Sequence, residues 1–165
     1  MSSLNSGANL VAGVREDYLA SMTENLPENI QDLISDFEFL DNWEERYMHV
    51  IDMGKSMSPL EPALKTEATK VKGCVSQVWL VSEKQGEEDP ILVFRGDSDA
   101  HIVKGLVAVV LEIFSGRRAS YIATLDAQSI MAKLGLSEHL SPQRSNGLQA
   151  MIARIKAEAE NLTTQ

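Results

Sequence analysis

With 165 residues, 44% of them hydrophobic and 24% charged, the chain can bury one core and is too apolar for a disordered polymer. A net charge of −9 with no basic stripe repels phosphates, which argues against nucleic acid and anionic membranes as partners. The longest apolar run, residues 106–114, is broken by Glu112 and falls well short of the about 20 residues that span a bilayer.

Residues 1–25 are rich in Ser, Asn and Gly and lack the basic start and long apolar run of a secretory signal. They read as a flexible tail, with a short helix possible over residues 14–22, ahead of a single domain over residues 26–162. From Glu28, the residues Ile30, Leu33, Ile34, Phe37 and Leu40 recur at three- and four-residue steps, the period of a helix with one buried face. Asn42 followed by Glu45 resembles a capping box that opens a second helix over residues 43–53, with Gly54 expected to close it in the left-handed conformation. Ser58-Pro59 and Glu61-Pro62 then make residues 55–68 a long connection.

Residues 75–81 and 91–95 are rich in β-branched and aromatic side chains, and the polar residues 82–90 with Gly86 join them as a hairpin. Residues 69–71 are the expected third strand. Gly96 is expected to end the second strand, and Ser98, flanked by Asp97 and Asp99, to cap a helix over residues 99–114. That helix is apolar nearly all round from Leu106 onward, the mark of an element buried between layers. Ser115-Gly116 stops it. A short helix over residues 127–134 follows, and Ser141-Pro142 opens a last one striped with Leu148, Met151, Ile152, Ile155 and Leu162. Helix pair, strands, then helices argue an α+β class: a small three-stranded antiparallel sheet with helices packed around it, mainly on one side.

His49, His101, His139 and the single cysteine, Cys74, stand at no metal-ligand spacing, so no metal is expected. No nucleophile elbow, zinc-protease motif, phosphate loop or dinucleotide fingerprint occurs. Glu44-Glu45 and Glu87-Glu88 read as solvated surface charge. One cysteine makes no intrachain disulfide, and without an export signal the expected compartment is the cytoplasm, where its thiol stays free. Gly73 frees the backbone before Cys74, and Lys70 and Lys72 are near enough in sequence to lower its pKa. A lone cysteine beside a core strand is as readily a small buried hydrophobe, and the pattern leaves both readings open. A thiol enzyme acting alone, peroxidase-like, is a third reading, although the chain has no resolving cysteine.

The runs Lys72-Gly73-Cys74-Val75-Ser76-Gln77-Val78-Trp79-Leu80, Gly96-Asp97-Ser98-Asp99-Ala100, Ile102-Val103-Lys104-Gly105-Leu106 and Ser141-Pro142-Gln143-Arg144-Ser145-Asn146-Gly147-Leu148 resemble the SufE/CsdE family of Fe–S biogenesis proteins, closer to SufE. Asn42-Trp43-Glu44-Glu45-Arg46-Tyr47 agrees, and the similarity runs from about Ile30 to Ala159. The resemblance implies the fold shared with IscU-type scaffolds, and a carrier that accepts sulfane sulfur on Cys74 from a cysteine desulfurase, SufS-like or CsdA-like, stimulates that enzyme, and passes the sulfur to an Fe–S scaffold. It implies no cofactor of the chain's own, since pyridoxal phosphate belongs to the desulfurase; monomer and homodimer both remain open. By the same resemblance Gly73, Gln77 and Trp79 shape the cysteine loop and its strand. Asp97, Ser98 and Asp99 turn the chain beside it, and Arg144, Ser145 and Asn146 belong to the partner-facing surface. The chain departs from the family pattern in its long N-terminal stretch, at Val75, where a polar residue is common, and at His101.

Overall fold

Seven helices and three strands follow one another along residues 26–163, the part of the chain that the computed structural model describes. The expected tail and its helix over residues 14–22 lie outside that part. A helical hairpin, α1 (Glu28–Glu38) and α2 (Trp43–Ser56), precedes β1 (Val78–Gln85), β2 (Ile91–Ser98) and α3 (His101–Phe114). Then come β3 (Arg117–Arg118), the short helices α4 (Ala119–Thr124), α5 (Ala127–Leu134) and α6 (Leu136–His139), and the long α7 (Pro142–Thr163).

The expected period holds in α1, which buries Ile30, Leu33, Ile34 and Phe37. At the start of α2, Asn42 Oδ1 accepts from the Glu45 amide at 2.9 Å, while Glu45 Oε2 accepts from the Asp41 amide at 3.0 Å. Two amides at the hairpin corner are thereby satisfied, and a cap of this kind contributes about 1 kcal/mol. Gly54 does not close α2 as expected. The helix continues to Ser56, and Gly54 packs against Gly105 of α3, where a Cβ on Gly54 would stand 2.7 Å from the Gly105 amide nitrogen. Its missing side chain serves a helix crossing rather than a cap.

The sheet has the order β1-β2-β3 and is antiparallel throughout, an α+β arrangement as expected. Its third strand is not residues 69–71. That segment makes a single bridge, Lys70 to Trp79, whereas β3 pairs Arg117 with Leu92 and Arg118 with Ile91 on the far edge of β2. The first strand starts and stops later than expected, and the second starts at Ile91 as expected but runs on to Ser98. Val78 pairs with Ser98 and Gln85 with Ile91, so Gly96 lies inside β2 rather than at its end. A Cβ there would meet Val107 Cγ1 at 2.7 Å, so glycine is what lets α3 lie on the sheet.

Ser98 therefore belongs to the strand and does not cap a helix at residue 99. The N-cap of α3 is Ala100, with no side-chain cap. Ser98 Oγ instead donates to the Gln77 carbonyl at 2.7 Å and lies 3.3 Å from the Ala100 amide, tying the strand end to the turn. The central position of α3 is as expected: ten of its fourteen residues are buried, between the sheet and the helices α2 and α7. Against α7 it builds the floor of the site.

Candidate functional site: a half-buried thiol at the head of an apolar groove

Residues 72–76 bridge the Lys70–Trp79 contact and the start of β1. The entrance is held by the Val71 amide on the Val78 carbonyl at 2.8 Å, and the exit by the Gln77 amide on Asp99 Oδ1 at 3.1 Å. Between these anchors Gly73 takes φ +95°, a conformation that side chains disfavour, and a Cβ on it would stand 3.3 Å from the Ala150 side chain. The turn directs Cys74 inward, half-buried, with its Sγ 3.6 Å from the Gly147 carbonyl of α7. Val75 takes the outward place and is 77% exposed.

The thiol opens on a groove of about 340 Å3. Ile102, Val103 and Leu106 of α3 and Leu148 and Met151 of α7 make it apolar, while Gln143 and Arg144 add polar groups from the first turn of α7. Arg144 is steadied by Tyr47 of α2, its guanidinium 5.9 Å from the ring centroid. Burial pushes the Cys74 thiol up from its ordinary pKa. The lowering expected from Lys70 and Lys72 is therefore overturned. Lys72 is exposed, where water screens its charge, and desolvation acts on the thiol unopposed.

The residues singled out in the sequence fall into two groups around this loop. Cys74 and Arg144 line the groove, and Gly73 makes the turn that brings Cys74 to it. Gln77, Ser98 and Asp99 form the latch at the loop's exit, where Gln77 offers its backbone rather than its exposed side chain. Asp97 and Trp79 lie at a separate corner. Buried at 3% exposure, Asp97 accepts from the Leu60 amide at 3.1 Å and the Ser98 amide at 2.8 Å, with the ammonium groups of Lys65 and Lys104 each at 3.4 Å. Burial alone would raise its pKa, but those two amides and two cations together hold the carboxyl below the usual range. Lys65 also sits over the Trp79 ring at 5.1 Å. Ser145 and Asn146 follow Arg144 on α7 without lining the groove.

In the sequence Ile102, Val103 and Leu106 stand out as part of a motif but not as the lining of a groove, although they recur at helical spacing. What turns these residues into a groove is α7 crossing beside them, which no local pattern encodes. The histidines have packing roles in two cases: the His49 ring lies 5.2 Å edge-on from Phe37, and His139 stacks 5.0 Å from Trp43. Among the described residues no three His, Cys, Asp or Glu side chains are grouped to hold a metal ion, and no described helix is long and apolar enough to cross a membrane.

Fold and site together define an α+β protein that presents one shielded thiol beside an apolar groove. The family model described as "SufE: Fe-S metabolism associated domain" matches residues 31–159, and the chain belongs to this family, with a role in Fe–S metabolism. It is 56% identical over 133 residues to an uncharacterized SufE-like protein of Rhizobium meliloti (strain 1021), covering 80% of this chain and 95% of that one. A second uncharacterized SufE-like protein, from Rhizobium etli, is 54% identical over 133 residues, covering 80% of this chain and 90% of that one. The solution structure of a hypothetical protein from Thermus thermophilus shares the fold, with a TM-score of 0.66 at 19% identity over 85% of this chain and 99% of that one.

Proposed function

We propose that the protein is a sulfur acceptor: Cys74 takes a sulfane sulfur from the persulfide of a cysteine desulfurase and carries it onward for Fe–S cluster assembly. The observation that carries this reading is the placement of the chain's single thiol, half-buried at the head of an apolar groove on a loop whose backbone is anchored at its two ends. Family membership supports it.

The step requires little of the acceptor. Cys74 loses its proton, its thiolate attacks the outer sulfur of the donor persulfide, the donor's S–S bond breaks, and the donor cysteine leaves as a thiolate that takes up a proton. One S–S bond forms as one breaks, so no oxidant or reductant enters. A thiol whose pKa is raised by burial is poorly ionised at neutral pH and reacts slowly with stray electrophiles. Donor docking that draws the loop outward removes that desolvation and exposes the sulfur together. Afterwards the groove at Cys74 has room for one more sulfur and surrounds it mainly with apolar side chains. The peroxidase-like alternative is the weaker one, since it needs a thiolate in the free protein and burial pushes the other way.

The test mixes the protein with a cysteine desulfurase and L-cysteine, and reads sulfide release and the intact mass of the acceptor. Wild type is expected to gain a sulfur removable by a reducing thiol and to raise desulfurase turnover, whereas Cys74→Ala does neither. Sulfur gained by the Cys74→Ala variant, or none gained by wild type, rejects the reading.

A further inference from the structure

Three large hydrophobic side chains are exposed among the described residues: Val75 beside the thiol, and Phe39 and Met48 on the α1–α2 hairpin, at 77%, 83% and 53% exposure. Met48 stands between Glu44 and Asp52 at four-residue steps, so acid, apolar and acid side chains lie in line along one outer face of α2. A shallow groove of about 500 Å3 follows this face from Leu40 to Asp52. Residues 28–56 hold eight acidic and two basic side chains, a net −6 of the chain's −9, and all eight carboxylates are exposed. Arg46, one of the two cations, is turned inward onto the carbonyls of Leu40 and Leu134.

This face is continuous with the thiol groove. Glu44 and Tyr47 are neighbours at a three-residue step on α2, the Tyr47 ring carries the Arg144 guanidinium, and Arg144 lines the groove into which Cys74 points. A protein seated over Val75 and Arg144 has the Glu44–Met48–Asp52 stripe as its next contact. We infer that this stripe of α2 is a docking surface for the sulfur donor, and that the donor meets it with a basic segment, lysine or arginine side chains flanking an apolar one that covers Met48. The inference rests on the function proposed above. Charge complementarity of this kind speeds encounter and fixes orientation, and an exposed thioether adapts readily to an apolar partner.

The experiment titrates the full chain carrying Cys74→Ser, which binds without transfer, into a cysteine desulfurase and measures Kd and association rate. With Glu44→Lys/Asp52→Lys added, Kd is expected to weaken about tenfold at about 0.05 M salt, with most of the loss in association rate, and the gap to close as salt screens the charges. Met48→Ser is expected to weaken binding severalfold at every salt concentration. Glu83→Lys/Glu87→Lys, which changes net charge equally at exposed positions near the β1–β2 turn, controls for net charge and is expected to have little effect. Unfolding midpoints confirm that all variants fold, since none of the three α2 side chains is buried.

Unchanged low-salt affinity in the Glu44→Lys/Asp52→Lys chain, or equal weakening in the hairpin control, overturns the docking surface. If wild type still takes up sulfur in that case, the proposed function stands without it. If wild type neither binds nor takes up sulfur, both fall. A stripe that instead joins two copies of this chain shows itself as a wild-type dimer that Met48→Ser dissociates, with donor affinity unchanged, and also overturns the inference.

Discussion

On one side of α3, Gly105 lies so close to α2 that a Cβ there would stand 2.2 Å from the Val50 carbonyl oxygen. On the other, Ile102, Val103 and Leu106 face a groove of about 340 Å3 with the Cys74 thiol at its head. Both sides are built from the same apolar helix, and they differ in what sits opposite. Where glycine meets glycine the backbones close up and no freedom remains. Where α7 passes instead, space is left beside a half-buried thiol. Tight packing on the closed side fixes the helix, and the open side takes its shape from it.

Placing one methyl group on each side separates them. Gly105→Ala drives a Cβ into the Val50 backbone, which no rotamer change can relieve, and is expected to destabilise the protein by about 3 kcal/mol, read from urea unfolding. Asp97→Asn tests the corner that ties α3 to the sheet through Lys104. Losing the carboxylate charge is expected to cost about 1–2 kcal/mol, since both lysines are partly exposed and screened. The pH dependence has a defined sign. The folded-state pKa of Asp97 is depressed, so its contribution is fully present above the unfolded-chain value of about 3.9 and is lost as pH falls through the folded value. Wild-type stability should therefore drop more steeply than that of Asp97→Asn on acidification below about pH 4.

Gly147→Ala has the smallest expected effect and the opposite sign. A Cβ there would touch Cys74 Sγ at 3.4 Å, an ordinary contact, while removing a glycine from the interior of α7. Stability should rise by up to about 1 kcal/mol, and alkylation of Cys74 should slow, because the thiol is more enclosed. Destabilisation by Gly147→Ala as large as that of Gly105→Ala would show that the thiol side is as closed as the other.

Local signals in the sequence carried the helices α1, α2, α3, α5 and α7 and the β1–β2 hairpin, because each shows its own period or its own turn chemistry. The misread positions are those where one residue type serves two ends. Glycine after a helical run ordinarily marks a helix end, yet Gly54 is a crossing point, and the residue that makes it one, Gly105, is about fifty positions away. Asp97 and Ser98 have the composition of a cap, but Asp97 is satisfied by Leu60 and Lys65 across the fold, which frees it to end a buried strand. A two-residue β3 and the six-residue α4 are too short to show any period. Cys74 was identified through the motif around it, whereas its groove exists only once α3 and α7 are side by side.

Arg154 of α7 donates to the carbonyls of Lys70 and Ala68, at 2.7 and 2.8 Å, just upstream of the cysteine loop. The same helix supplies Gly147, Leu148 and Met151 around the thiol. The root of the loop and the wall of the groove are thus bolted to a common beam. The position of the sulfur is therefore referenced to α7 as well as to the sheet, and a substitution that displaces α7 is expected to displace the thiol with it.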